Sequence, residues 1–138
     1  MSRSQLEKLE ALNQRRAELV QHYNDQFSKS GLDVILPFAS IPKPKQASYH
    51  IYPVVFPTMA ERDDVAERLK EDGIQTSLHY SPVHKFTAFR KIVPGLTLPL
   101  TESFASRELT LPLYPSLSDE QVDTIVSSVG RCYENLST

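Results

Sequence analysis

The densest group of chemically capable side chains lies in residues 73–84, GIQTSLHYSPVH. His79, Tyr80 and His84 place two imidazoles and a phenol within six residues, and Pro82 fixes the turn between them. A histidine pair invites the question of metal ligation. Catalytic zinc takes three protein ligands and keeps a position open. The third ligand would have to be His50 or a carboxylate brought in by the fold, and a five-residue spacing across a proline turn is not a ligand pattern. No glycine-rich loop is present to cradle a phosphate, and no Ser/His/Asp order can be argued. Cys132, the single cysteine, rules out a disulfide framework or a cysteine-rich zinc site. It falls on the apolar side of the last helical segment and reads as a buried structural thiol.

The elements that must position these residues follow from periodicity. Residues 4–28 predict one long helix, with Leu6, Leu9, Leu12, Leu19, Tyr23 and Phe27 at three- and four-residue spacings and Arg15 and Arg16 interrupting the stripe. Gly31 is its stop signal. Residues 32–46 hold Pro37, Pro42 and Pro44 and read as an extended connection with a short strand at 34–36. Residues 49–56 are β-branched and aromatic, a strand in which Pro53 demands a free edge or a bulge. Thr58 and Glu61 form a capping box. The helix it opens carries Val65 and Leu69 on one face and stops at Gly73. A second strand spans 74–80, a loop or short helix 82–90, another short helix 101–107 and a third strand 109–113. Ser118 and Gln121 form a second capping box, opening a helix with Val122, Ile125, Val126, Val129 and Tyr133 on one face. A right-handed crossover makes the first two strands parallel; the third then lies between them, antiparallel to both. The expected fold class is α+β: a small three-stranded, mainly antiparallel sheet with helices on one face and a long N-terminal helix.

Composition sets the outer bounds. At 138 residues the chain is one domain, able to bury about two-thirds of its unfolded surface. Seventeen acidic against fifteen basic residues leave a net charge of −2, with no basic block to meet a nucleic acid. No apolar run reaches the roughly 18 residues of a membrane span, and the charged N-terminus is unlike a signal peptide. A cytoplasmic location is the expectation.

Three stretches, SYHIYP at 48–53, GIQTSLHYSPVH at 73–84 and LPLYPSLSDEQ at 111–121, together resemble one family. It is the DegT/StrS-type sugar aminotransferases, which use pyridoxal phosphate to aminate nucleotide-linked keto sugars. The resemblance covers nearly the whole chain but only the C-terminal part of the family. It implies the small domain of a fold-type I pyridoxal-phosphate enzyme, with residues 1–30 as a connecting helix and 31–138 as an α/β sandwich. It also implies that the large domain and its cofactor-binding lysine have no counterpart here. The cofactor would then be absent from the isolated chain and present in the complete enzyme. None of the seven lysines matches the family's Schiff-base context; Lys85, beside His84, reads as solvent-exposed.

Carried over position by position, His79, Tyr80 and His84 become substrate-contacting residues, with no catalytic residue and no metal ligand in the chain. Read from the residues alone, His79 equally packs in the sheet while Tyr80 caps the core. His50 reads as structural, bonding a neighbouring carbonyl. The implied partners are the large domain, on a missing or separate chain, a nucleotide-linked sugar, and a second subunit in a homodimer of the complete enzyme, with no nucleic acid and no membrane. The implied activity is amino transfer from an amino acid such as glutamate to a keto sugar, lost in the chain alone. The competing reading is a non-catalytic binding or assembly module that pairs with a separate large-domain chain or with itself.

Overall fold

In the computed structural model, which describes residues 3–37, 39 and 47–136, the chain opens with a 28-residue helix, α1 (Arg3–Ser30). The expected connection residues Pro42, Lys43, Pro44 and Lys45 lie outside the described residues. Strand β1 (Tyr52–Val55) follows, then α2 (Met59–Glu71), a 3₁₀ turn (Val83–Lys85), the single-turn α3 (Thr87–Arg90), α4 (Pro99–Arg107), β2 (Glu108–Leu111) and α5 (Asp119–Leu136).

The helix boundaries have local causes. The Thr58 hydroxyl accepts the Glu61 amide at 3.2 Å, and the Glu61 carboxylate takes the Thr58 amide at 2.8 Å. Two of the orphan donors at the start of α2 are thereby satisfied. Ser118 and Gln121 make the same reciprocal pair before α5, at 3.1 and 2.9 Å. Gly73 ends α2 at φ +76°, a left-handed conformation that L side chains seldom adopt.

Among the described residues the sheet has two strands rather than three. β1 and β2 pair antiparallel, Tyr52 opposite Leu111 through Val55 opposite Glu108. The expected strand at 74–80 is reduced to one antiparallel bridge, Ser77 to Thr110, and the one at 34–36 to a bridge from Ile35 to Val55. The expected order nevertheless holds: β2 lies between β1 and the 77 segment, antiparallel to both. Val55 turns its amide and carbonyl to Ile35, at 2.9 and 2.8 Å. Pro53, two residues away, therefore turns its ring nitrogen to the same outer edge. No ladder partner is needed there, so neither bulge nor distortion is required.

The core joins α1, α2 and α5 to the sheet. Leu19, Val20, Tyr23 and Phe27 of α1 meet Tyr52 and Val54, Val65 and Leu69 of α2, and Val122, Ile125, Val126 and Val129 of α5. Tyr23 stacks on Tyr52 with ring centroids 4.4 Å apart. Both phenols are buried with partners, Pro112 O at 2.9 Å and Asn24 Oδ1 at 2.8 Å, and burial raises both far above the usual tyrosine range. The apolar stripe of α1 outruns this core: Leu6 and Leu9, three turns upstream of Leu19, stand exposed. Arg15 and Arg16, which break the stripe, pin the helix instead. Arg15 binds Leu117 O and Asp119, and Arg16 binds Ser48 O. Cys132 is buried as expected, its thiol donating to Ser128 O at 3.1 Å.

Candidate functional site

Ending α2 at Gly73 sends the chain back along β2. Ile74 N–H closes the helix on Leu69 O at 2.7 Å, and Ser77 and Thr110 exchange two backbone bonds of 3.1 and 2.8 Å. This bridge sets His79 beside β2. Its backbone N–H donates to Glu108 Oε2 at 2.9 Å, and its Nδ1 lies 2.9 Å from Thr110 Oγ1. The Thr110 hydroxyl donates to Glu108 Oε1. Glu108 is wholly buried and Thr110 nearly so, while His79 is half-buried. Glu108 and Thr110 stand two apart on the strand and so share a face, and the 77 segment supplies the residue that both hold.

Tyr80 is 68 % exposed, its ring edge-on to His79 with centroids 4.7 Å apart. The peptide bond between them is cis. His84 lies in the 3₁₀ turn and is buried. Its Nε2 is 2.8 Å from Glu102 Oε1. Glu102, in the first turn of α4, also binds Lys85 Nζ at 2.7 Å and reaches back to the Leu98 amide at 3.0 Å. The Lys85 ammonium, the Leu98 amide and the His84 ring, in that order, lower the Glu102 carboxyl to about 2. Pro99, at the first helical position of α4, has no amide to satisfy. Glu102 thus ties both ends of the 83–98 excursion to one point.

A cavity of about 710 Å³ opens between residues 73–79, the end of β2 and the start of α5. Ser77, His79, Thr110, Tyr114, Gln121 and Thr124 give it polar groups, and Ile74, Leu111 and Leu117 give it apolar wall. Its size and mixed lining suit a small polar ligand. The structure brings His79 and His50 to this cavity; neither Tyr80 nor His84 lines it. His50 is exposed at the rim and, among the described residues, makes none of the hydrogen bonds expected of it. Among the described residues no three His, Cys, Asp or Glu side chains converge to hold a metal. No described helix is long and apolar enough to cross a membrane.

The sequence reading missed Glu102, Glu108 and Thr110. Glu108 offered a signal: a carboxylate two residues from a threonine at the start of a strand otherwise made of Leu and Thr. Glu102 offered half of one, an acid in the first turn of a helix opened by proline.

The model of the DegT/DnrJ/EryC1/StrS aminotransferase family matches residues 1–130. The aminotransferase TlmJ from Streptoalloteichus hindustanus is 31 % identical with a TM-score of 0.83, over 96 % of this chain and 35 % of that one. PseC of Helicobacter pylori, an aminotransferase in pseudoaminic acid biosynthesis, is 28 % identical with a TM-score of 0.85 over the same shares. A putative sugar aminotransferase from Streptococcus pneumoniae, solved in its PLP form, is 29 % identical with a TM-score of 0.82, over 98 % of this chain and 34 % of that one. An α+β chain with this long helix, this two-stranded ladder and this match is an aminotransferase-fold polypeptide. It belongs to the DegT/DnrJ/EryC1/StrS aminotransferase family. It spans about a third of the length of the solved structures it resembles.

The described residues lining the cavity do not fit pyridoxal phosphate. The internal aldimine of such enzymes needs a lysine held against the cofactor. Among the described residues no lysine lines the cavity, and Lys85, the one nearest the histidine turn in sequence, has its ammonium on Glu102.

Proposed function

We infer that this chain is the C-terminal, substrate-binding part of a pyridoxal-phosphate-dependent nucleotide-sugar aminotransferase. The complete enzyme would move an amino group from an amino acid such as glutamate to a keto sugar. In this reading the cofactor and its lysine belong to a large domain outside this chain, the complete enzyme is a cytoplasmic homodimer, and the chain alone does not transaminate. The observation that carries the reading is the match of nearly the whole chain to only a third of several aminotransferases, one of them a putative sugar aminotransferase. His79 contacts substrate from the cavity wall and Tyr80 from the exposed rim. His84, whose Nε2 is engaged by Glu102, contributes by holding the turn that carries both.

A second observation supports docking on another surface. Val83, Phe86, Phe89, Ile92, Leu96 and Leu100 are all exposed, Ile92 by 73 % and Leu100 by 88 %. Contiguous exposed apolar side chains mark interfaces. The competing reading, an assembly module pairing with a separate large-domain chain or with itself, uses the same surface.

The test is absorbance near the aldimine band after adding pyridoxal phosphate to the pure chain, then borohydride reduction and mass spectrometry. The expected result is no specific adduct and no turnover of a nucleotide keto sugar with glutamate. Turnover above a no-protein control would overturn the inference.

A further inference from the structure

Glu108 is a carboxylate with no exposed surface, on a strand buried at all four positions. Among the described residues no Lys, Arg or His side chain forms an ion pair with it. Burying such a group is costly unless its lone pairs are used. Here both oxygens are used, and both toward His79: Oε2 takes the His79 amide, and Oε1 takes the Thr110 hydroxyl proton. A hydroxyl has one proton to give. With that proton on Glu108, Thr110 Oγ1 can meet His79 Nδ1, 2.9 Å away, only as an acceptor. Nδ1 must then carry the ring proton. In a neutral imidazole this leaves Nε2 with a lone pair. Nε2 has no partner among the described residues, and His79 lines the cavity. Ser77 Oγ, 3.4 Å from Nδ1, is a weaker second neighbour of the same nitrogen and leaves Nε2 untouched.

We propose that Glu108 and Thr110 are positioning residues that fix His79 in its Nδ1–H tautomer, so that the cavity presents a hydrogen-bond acceptor at Nε2. The ligand group this suits is a donor, a sugar hydroxyl or an amino group. A phosphate oxygen is mismatched, because it would need a proton on Nε2. The ligand class rests on the reading of His79 as a substrate contact; the tautomer does not, and its test requires neither cofactor nor turnover.

The experiment is long-range ¹H–¹⁵N correlation of the imidazole nitrogens in the ¹⁵N-labelled chain, about two pH units above the ordinary histidine pKa of roughly 6.5. His79→Ala assigns the His79 signals among the four histidines. The wild type is expected to show protonated Nδ1 and unprotonated Nε2. In Glu108→Gln the side-chain amide donates to Thr110, whose hydroxyl proton turns to Nδ1, so the tautomer flips to Nε2–H. Thr110→Val removes the lock and gives a mixture. An Nε2–H wild type overturns the proposal, as does a Glu108→Gln chain that keeps Nδ1–H. Should Glu108→Gln not fold, the wild-type and Thr110→Val spectra still decide. With glucose and inorganic phosphate as probes at equal concentration, glucose is expected to move the Nε2 signal more; the reverse order overturns the acceptor assignment. Absence of transaminase activity in any assembly would sink the functional reading and leave these spectra unaffected.

Discussion

Replacing each residue of the histidine turn by alanine should give three different stability losses, ordered by what each side chain touches. His84 is 8 % exposed and holds Glu102 at 2.8 Å. Its removal forfeits one hydrogen bond, about 1 kcal/mol net, and leaves a void under the turn that costs about 1 kcal/mol more. His79 is half-buried, and losing it leaves Thr110 still bonded to Glu108, so the expected cost is about 1 kcal/mol. Tyr80, 68 % exposed, should cost within about 0.5 kcal/mol. A domain of this size loses about 3–4 °C of Tm per kcal/mol. Thermal melts of the 138-residue chain should therefore fall by about 7 °C for His84→Ala, about 3–4 °C for His79→Ala and under about 2 °C for Tyr80→Ala. The two histidines that looked alike in sequence are thereby separated, one mainly structural and one half-free. A His84→Ala chain that melts within 2 °C of wild type, or a Tyr80→Ala chain that falls as far as His84→Ala, would refute the assignment.

Three further outcomes are expected. Because the folded Glu102 carboxyl sits at about 2, below its ordinary 4.5, the stability it confers is fully present above about pH 4.5 and is lost as pH falls toward 2. Proteolytic cutting within 86–98 should rise over that window in wild type, and Glu102→Gln should cut readily throughout; equal cutting of the two at neutral pH would refute the clamp. Leu69→Ala, at a side chain with no exposed surface, should cost about 2–5 kcal/mol by chemical denaturation, and a loss under 1 kcal/mol would misplace α2. Cys132, whose thiol burial pushes up, should react with a thiol reagent at pH 8 far more slowly in the folded chain than in denaturant, and comparable rates would contradict its burial.

What the sequence made legible was what neighbours in sequence decide. Both capping boxes, the stops at Gly31 and Gly73, and the buried faces of α2 and α5 depend on residues three or four apart, and they stand where the periodicity put them. The strand at 74–80 did not survive, since its residues have β-propensity but a strand exists only where a partner runs alongside. Pro112 follows β2 opposite residue 75 and has no amide to give, and toward the other end the His79 amide goes to the Glu108 carboxylate rather than to the strand backbone, so Ser77 alone finds a ladder. Glu102 and Glu108 stayed hidden for a related reason. Their partners lie 18 and 29 residues away, and a lone acid in a short helix or strand carries no mark of the histidine it will meet.

The burial of His84 and the exposure of the apolar run after it depart from residue type in opposite directions, and one cause accounts for both. Reading polar residues as surface and apolar residues as core assumes that a chain's pattern refers to its own interior. In residues 83–100 that assumption fails. His84 is drawn inside because Glu102 satisfies it, whereas Phe86, Phe89, Ile92 and Leu100 stay outside although their types belong in a core. Within the excursion, His84, Lys85 and the Leu98 amide are tied to Glu102, so the loop is anchored by polar contacts while much of its apolar surface faces outward. A segment held in shape by ion pairs and hydrogen bonds, with its hydrophobic side chains turned out, is what the proposed larger enzyme would cover. The proposal of a larger enzyme supplies the covering surface, and the polar clamp explains how the segment keeps its form before that surface arrives.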